Sequence, residues 1–442
     1  MVRVFTAKRH WFLEQGLRLD ATAYGVGGLE AHDRIVNSGL SYQRLSKVAR
    51  LFHTGRAARV YVRNQERGVP FLSSSDVLMA DLDGVSYVSK LATANLEESL
   101  IGEGWTLISR SGTVGNTAYA RQEMVGMAAS EDVLRAAPYE ESIRSGYLFA
   151  FLSSQRAQAM IQQKTYGSVI QHIEPHHIAD LPVPLPDDTF HAHIHALVVD
   201  AAEARSEARR LLDEASGYFD ALAGSMPSTH EHAFAYGSVR QADLGLRLDA
   251  FHHVGWASEG TRQDGVPLHT LGHVSRPGIV KRIYVEHGVP FVSGIDVYQV
   301  RPSFRERIMR AETEKAHSLI KAGQILIQRS GQRYGLLGRP VYVGKRMDGW
   351  AATEDLLRVT LSDPSNAGWL FAFMRSELGR RIIVRGSYGT SLPHLNPEGL
   401  ASICIPLLPQ GLADKAQGAL ALREYADASE EQAIREVEAW LG

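Results

Sequence analysis

The chain has 442 residues, 44 % of them apolar and 22 % charged, with a formal net charge of −2. That is globular composition, sufficient for two or three domains, and its charge balance argues against a simple, self-sufficient nucleic-acid binder, which is usually basic. A lone cysteine, Cys404, excludes an intrachain disulfide, no apolar run is long enough to span a bilayer, and Met1–Phe5 shows no signal-peptide core, so a cytoplasmic setting is expected.

In chain order, residues 1–40 form a helical or irregular lead-in that includes the run Gly25-Val26-Gly27-Gly28. Residues 41–187 form a first domain of short alternating segments. Val60–Val62, Val69–Leu72 and Trp105–Ile108 predict strands broken by Gly and Ser. Gly146–Ile161 predicts a helix with Leu148, Phe151 and Leu152 on one face, and Leu181–Pro186 an extended, proline-spaced exit. Residues 188–223 follow as a spacer helix. In it Ile194, Leu197, Ala201, Ala204, Ala208, Leu211, Ala215, Tyr218 and Leu222 recur every three or four residues, the seam of a coiled coil. Residues 224–264 lead into a second domain at 265–409, which closes at Ile403–Pro406. A second spacer helix at 410–442 offers Ala419, Leu422, Ala426, Ser429, Ala433 and Trp440, with Val437 one residue out of phase. Small seam residues let two backbones approach closely, and the order domain–helix–domain–helix makes the expected pairing antiparallel. From Ile194 to Leu222 such a helix is about 42 Å long at ~1.5 Å per residue, comparable to the rise of one DNA turn, about 34–36 Å.

The two domains are copies. Gly16-Leu17-Arg18-Leu19-Asp20-Ala21 returns as Gly245-Leu246-Arg247-Leu248-Asp249-Ala250. Gly68-Val69-Pro70-Phe71 with Asp76-Val77 returns as Gly288-Val289-Pro290-Phe291 with Asp296-Val297. Arg110-Ser111-Gly112 returns as Arg329-Ser330-Gly331, and Glu131-Asp132 as Glu354-Asp355. Leu148-Phe149-Ala150-Phe151 returns as Leu370-Phe371-Ala372-Phe373, and Tyr166-Gly167 with His172 as Tyr388-Gly389 with His394. The spacing between copies is about 220 residues. Solenoid repeats run to about 20–50 residues, so this is a duplicated domain pair. A pseudo-twofold protein suits a ligand with two similar, separated sites, and duplex DNA is such a ligand.

Charge is unevenly spread. Tyr42–Arg67 holds seven Lys/Arg against Glu66 alone, Arg329–Arg346 holds five and no acid, and Arg423–Glu438 holds six acids against two arginines. Local basic surface is what meets phosphates. Candidate DNA-binding residues are therefore loop positions that match between copies: Arg110, Ser111, Thr113 and Asn116 against Arg329, Ser330, Gln332, Arg333 and Tyr334. A second set is Lys164, Tyr166 and Ser168 against Arg385, Ser387, Tyr388 and Thr390. Arg56, Arg59 and Arg63, with Lys281 and Arg282 opposite, would add sequence-independent affinity. Phosphate contacts position a protein and base contacts specify sequence. The shared Arg-Ser-Gly suits a structural or phosphate role, and the residues that differ between copies suit base reading.

This order of phrases, twice over with helices between, resembles the specificity subunit of type I restriction-modification systems. The likeness rests on Gly68–Val77 and Gly288–Val297, on 107–112 and 326–331, and on 167–168 and 389–390 with their exit strands. It implies an α+β fold of two tandem α/β target recognition domains, separated by long spacer helices that pair as an antiparallel coiled coil. It further implies a DNA-binding subunit that reads a split target and docks two adenine methyltransferase subunits, with a motor-nuclease subunit as a possible third partner. Such a subunit has no catalytic centre and no cofactor of its own; S-adenosylmethionine belongs to the partner. The repeated Arg-Leu-Asp-Ala phrases are commoner in divergent members, so a related methylation-linked defence complex is a second home for it.

Histidines at 172, 176 and 177, at 191, 193 and 195, and at 230 and 232 cluster without a Cys partner or a His-Glu-x-x-His pattern, so no metal is expected. Gly25–Gly28 lacks the following Lys-Ser/Thr of a phosphate loop. Two other classes stay open: a scaffold or regulator that binds only protein, and an enzyme with a site between the halves.

Overall fold

A computed structural model describes residues 6–14, 22–25, 27–56, 58–166, 171–223, 241, 248–253, 265–304 and 306–442. The first hexapeptide, most of the 224–264 lead-in, the Gly167-Ser168 step, and His230 and His232 lie outside these. The architecture is α+β and falls into two compact units, Met1–Ser206 with Tyr425–Gly442, and Glu207–Glu424.

In the first unit, α1 (Gly28–Val36) explains part of the Gly25–Gly28 run. Gly27 turns the chain at φ 74°, and a Cβ on Gly28 would stand 2.5 Å from the Ala159 carbonyl oxygen, so only glycine allows this helix approach. The strands are β1 (Tyr42–Arg44), β2 (Ala49–Phe52), β3 (Tyr61–Val62), β4 (Gly68–Leu72), β5 (Ser86–Ser89), β6 (Thr106–Ser109), β7 (Thr117–Tyr119), β8 (Ala128–Ala129), β9 (Val133–Pro138) and β10 (Pro182–Pro184). They form a main sheet in the order β2-β9-β6-β7, a smaller sheet β3-β5-β4-β8, and the pair β1-β10. The strands expected from the sequence are present within a residue or so of their expected ends. The expected single helix at 146–161 is instead two, α2 (Ser145–Ser153) and α3 (Gln155–Gln163). Ser154 breaks it: its backbone is extended and its Oγ accepts from the Ala157 amide at 3.2 Å, capping the second helix.

After α4 (Asp188–Ala223), the second unit repeats the plan with β11 (Gly265–Pro267), β12 (Gly272–Ser275), β13 (Tyr284–Val292), β14 (Glu306–Ile308), β15 (Ile325–Gln328), β16 (Pro340–Tyr342), β17 (Ala351–Ala352) and β18 (Leu356–Leu361). Then come α5 (Ala367–Arg375), α6 (Glu377–Arg385), β19 (Cys404–Pro406) and α7 (Gln410–Trp440). The main sheet runs β12-β18-β15-β16, the counterpart order of the first. The repeated Gly-Val-Pro-Phe phrases do the same work in both units. Phe71 and Leu72 pair in parallel with Ala128 and Ala129, and Phe291 and Val292 with Ala351 and Ala352. The repeated Leu-Phe-Ala-Phe phrases are core, with all four phenylalanines fully buried. Ser376 breaks α5 from α6 as Ser154 breaks α2 from α3, accepting from the Gly379 amide at 2.9 Å.

Each core takes half of each long helix. Within the first unit, Phe190 stacks on Trp440 at 5.5 Å, His193 reaches Glu436 at 2.9 Å, and Arg205 reaches Asp427 at 2.8 Å and also Glu430. Within the second, Lys415 donates to Glu214 at 2.5 Å. In the first unit, positions rise along α4 as they fall along α7, so these segments run antiparallel. Ile194, Ala201, Ala208 and Ala215 are fully buried, as are Ala419, Ala426 and Ala433. Ala204 is buried; Leu197, Leu211, Tyr218 and Leu422 are half-buried, and Leu222 is exposed. Val198, Leu212 and Phe219 are the more deeply covered neighbours. The reason is that α4 also packs on its own units. Phe219 meets Phe373 edge-on at 5.4 Å, and Ser216 donates to the Ala372 carbonyl at 2.9 Å.

This packing needs two glycines. A Cβ on Gly146 would stand 2.7 Å from the His195 carbonyl oxygen, and one on Gly368 would stand 2.3 Å from the Gln417 nitrogen. Both obstacles are backbone of a long helix. Gly368→Ala is therefore expected to lower the stability of the second unit by about 1–3 kcal/mol, the usual range for overpacking. Hydrogen exchange of α5 amides checks this; unchanged protection would contradict it.

Candidate nucleic-acid interface

The two loop sets singled out by the sequence meet in each unit. Ser111 and Tyr166 both bridge to His172, and Ser330 and Tyr388 both bridge to His394. The Tyr–His turns are near copies, with ring centroids 6.1 Å and 6.0 Å apart at interplanar angles of 44° and 43°. Both tyrosines are exposed.

Beneath them, two separate sequence echoes prove to be one salt bridge. Arg110 lies 3.5 Å from Asp132, and Arg329 lies 3.0 Å from Asp355. Each arginine amide also donates to the carbonyl of that aspartate, at 2.9 Å and 2.8 Å. The Arg-Ser-Gly and Glu-Asp phrases thus hold one turn together. Arg110 additionally pairs with Glu174 and donates to the Ile173 carbonyl at 3.1 Å. Glu174 gathers His53 at 2.8 Å and the Tyr166 hydroxyl at 3.1 Å as well. Burial alone would raise the Glu174 carboxyl, but the Arg110 and His53 hydrogen bonds outweigh it and hold the group at about 2.

The loop tips differ between copies. In the first unit Thr113 and Asn116 are half-buried and Val114 is buried. In the second, Gln332 is exposed and Tyr334 is 79 % exposed, while Arg333 is half-buried and donates from Nε to the Ser387 hydroxyl at 3.2 Å. Ser387 is fully buried. Arg385 donates to the His252 carbonyl at 2.6 Å, Lys164 is half-buried at the end of α3, and Thr390 is exposed. Ser168 lies outside the described residues.

The basic stretches sit beside the smaller sheets. Arg59 pairs with Glu131 and lies over the Phe71 ring at 4.7 Å. Its second-copy counterpart, Arg282, lies over Phe291 at 5.7 Å. Arg56, Arg63 and Lys281 are exposed. Glu131 and Asp132 are consecutive, so this patch adjoins the Arg110 turn.

Sequence reading missed the buried arginines. Arg135 donates to the carbonyls of Val133, Ala129 and Ser99, and Arg358 to those of His317, Ser318 and Leu319. Burial lowers both to about 10, so both stay charged at neutral pH. The signal was available: the Glu-Asp echo extends to Leu134-Arg135 and Leu357-Arg358. Two of the clustered histidines are spent on the fold. His191 Nε2 accepts from the Arg144 amide at 3.0 Å and His195 Nδ1 from the Gly146 amide at 3.2 Å, at the start of α2. Burial, with the Arg144 charge, pulls both below the usual imidazole value. Among the described residues no group of three or more His, Cys, Asp or Glu is placed to hold a metal ion, and no helix is long and apolar enough to cross a membrane.

No family model and no curated protein matches the chain. Among solved structures, it is similar to the type I restriction-modification S subunit from M. genitalium, with 14 % identity over 92 % of this chain and 96 % of that one, at a TM-score of 0.33. It is similar to the HsdS subunit from Thermoanaerobacter tengcongensis at 14 % identity over 92 % and 96 %, with a TM-score of 0.29. A chain from a study of complex assembly and conformational transition of the type I R-M system aligns at 14 % identity over 91 % and 96 %, with a TM-score of 0.28. Superpositions this loose leave the functional argument to the residues themselves.

Proposed function

We propose that the chain is a DNA sequence-recognition subunit that reads a split target, one half per unit, and leaves chemistry to bound adenine methyltransferase subunits carrying S-adenosylmethionine. One observation carries the reading. Two units with the same main-sheet strand order bring the same two loops together by the same bridges, yet present different side chains at the tips. An identical frame with divergent tips is what two readers of different half-sites need, because shared groups serve the backbone and unshared ones the bases. In this reading α4 and α7 form the coiled-coil spacer that sets the unread gap and docks the methyltransferases, with a nuclease subunit as a further partner.

A gel shift of duplex DNA with the full chain, alone and with its co-expressed methyltransferase, tests this. Retention that falls steeply with salt is expected; no retention at low salt in either condition removes the reading. Replacing Gln332 and Tyr334 together by alanine is expected to change or relax the methylated sequence in one half-site only, by about 1–3 kcal/mol of discrimination per lost base contact. Methylome sequencing of cells carrying the variant shows it, and an unchanged motif counts against these residues.

A further inference from the structure

Four positions at the edge of the main sheet correspond between units by register. β2 and β12 end opposite the buried arginines, Phe52 facing Arg135 and Ser275 facing Arg358, so His53 and Arg276 are counterparts. Ile173 and Leu395 donate their amides to the carbonyls of Arg110 and Arg329, so the next residues, Glu174 and Asn396, are counterparts, each followed by proline. Arg110 matches Arg329, and Tyr166 matches Tyr388.

In the first unit three of these residues converge on the fourth, with Arg110, His53 and Tyr166 all donating to the Glu174 carboxylate. In the second unit the three donors persist as Arg329, Arg276 and Tyr388, but the carboxylate is gone. Asn396 spends its Oδ1 on the Gly399 amide at 2.9 Å. What remains is a cleft of about 520 Å³ lined by Arg276, Arg329, Tyr388, Asn396 and Ser275, with the acid Glu398 also on its wall. Arg329 keeps Asp355, whereas Arg276 is exposed and has no ion pair among the described residues.

We propose that this cleft binds a phosphate-type oxyanion, in the place that the Glu174 carboxylate fills in the first unit. A carboxylate and a phosphate present the same feature to these donors, anionic oxygens that accept charge-assisted hydrogen bonds, and guanidinium suits both. The first unit therefore carries its own anion and the second must take one from outside. Under the DNA reading that anion is a backbone phosphodiester of one half-site; only the source of the phosphate, not the site, rests on that reading.

Two variants of the full chain test it. Asn396→Glu installs the residue that already caps the matching helix in the first unit, so folding is expected to survive while the cleft gains an internal anion. Arg276→Ala removes an exposed donor. In one arm, inorganic phosphate is compared with chloride at equal ionic strength. It should raise the hydrogen-exchange protection of the β12 and β18 amides of the unaltered chain and do so less in both variants. In the other, each variant should flatten the slope of log affinity for duplex DNA against log salt by about 0.9, one phosphate contact. A flattened slope assigns the site to the DNA backbone. A phosphate effect lost in the variants with unchanged slopes assigns it to a free phosphate compound. Absence of both effects overturns the site. If the unaltered chain binds no duplex, the DNA reading falls and the phosphate arm alone decides the site. Glu398→Gln should strengthen whichever effect is seen.

Discussion

Arg205→Ala is expected to destabilise the first unit by about 3–5 kcal/mol, because it breaks a buried ion pair from one side. Along α4 the fully covered positions Ile194, Val198, Ala201, Ala208, Leu212, Ala215 and Phe219 recur every three or four residues, except where Arg205 takes the place of a hydrocarbon. Its side chain is only 9 % exposed and meets Asp427 and Glu430, the latter 3 % exposed. Burial would lower the guanidinium; the two carboxylates overcome this and raise it instead. Truncation leaves Glu430 with its main cation gone in a site closed to water. The paired change Arg205→Met with Glu430→Met should recover the loss or exceed the unaltered stability, since well-packed apolar residues often replace a buried pair without loss. The long helices pass through both units, so one global unfolding curve is not a two-state measurement. Hydrogen exchange of the α4 amides before Ser206 is the suitable readout, and unchanged protection in Arg205→Ala would refute the assignment.

The same pair shows where sequence reading stops. The register that matches Gly146 with Gly368 and His195 with Gln417 sets Arg205 against Asp427 and Ala208 against Glu430, so the charge pair exists once rather than twice. A lone charge on a periodic helix is indistinguishable in sequence from a solvated one, and only the facing helix reveals its burial. The duplication, the strands around Gly-Val-Pro-Phe, the Leu-Phe-Ala-Phe core and the alanines of the long helices were legible because they depend on local pattern. That Arg-Ser-Gly and Glu-Asp are two ends of one bridge was not, because strands pair across long sequence separations and neither phrase carries its partner's address. The cleft beside Tyr388 was hidden for another reason. His53 against Arg276, and Glu174 against Asn396, differ in type between copies, so a search for echoes passes over them, although the prolines at 175 and 397 mark the place.

Those differences lead to a second expectation: acid should loosen the first unit before the second. Glu174, with a folded value of about 2 against an ordinary 4.5, binds its proton less readily in the folded state. Its contribution is whole above about pH 4.5 and is lost as pH falls toward 2. At about 1.4 kcal/mol per pH unit the shift corresponds to roughly 3 kcal/mol. Solvent at the 21 % exposed side chain screens part of this, leaving about 2 kcal/mol. His191 and His195 act in the same direction. Both are lowered in the folded state and accept amide hydrogen bonds through unprotonated nitrogens, so stability falls as pH drops below their ordinary 6.5. The second unit replaces two of these groups with neutral amides. Asn396 stands for Glu174, and the Gln417 Oε1 accepts the Gly368 amide at 2.8 Å where His195 accepts that of Gly146. Between pH 7 and 2, exchange protection corrected for intrinsic rates should fall further in β9 and α2 than in β18 and α5. Glu174→Gln should remove the part of that difference that develops below pH 4.5, and equal losses in the two units at every pH would show that these side chains do not govern the acid response.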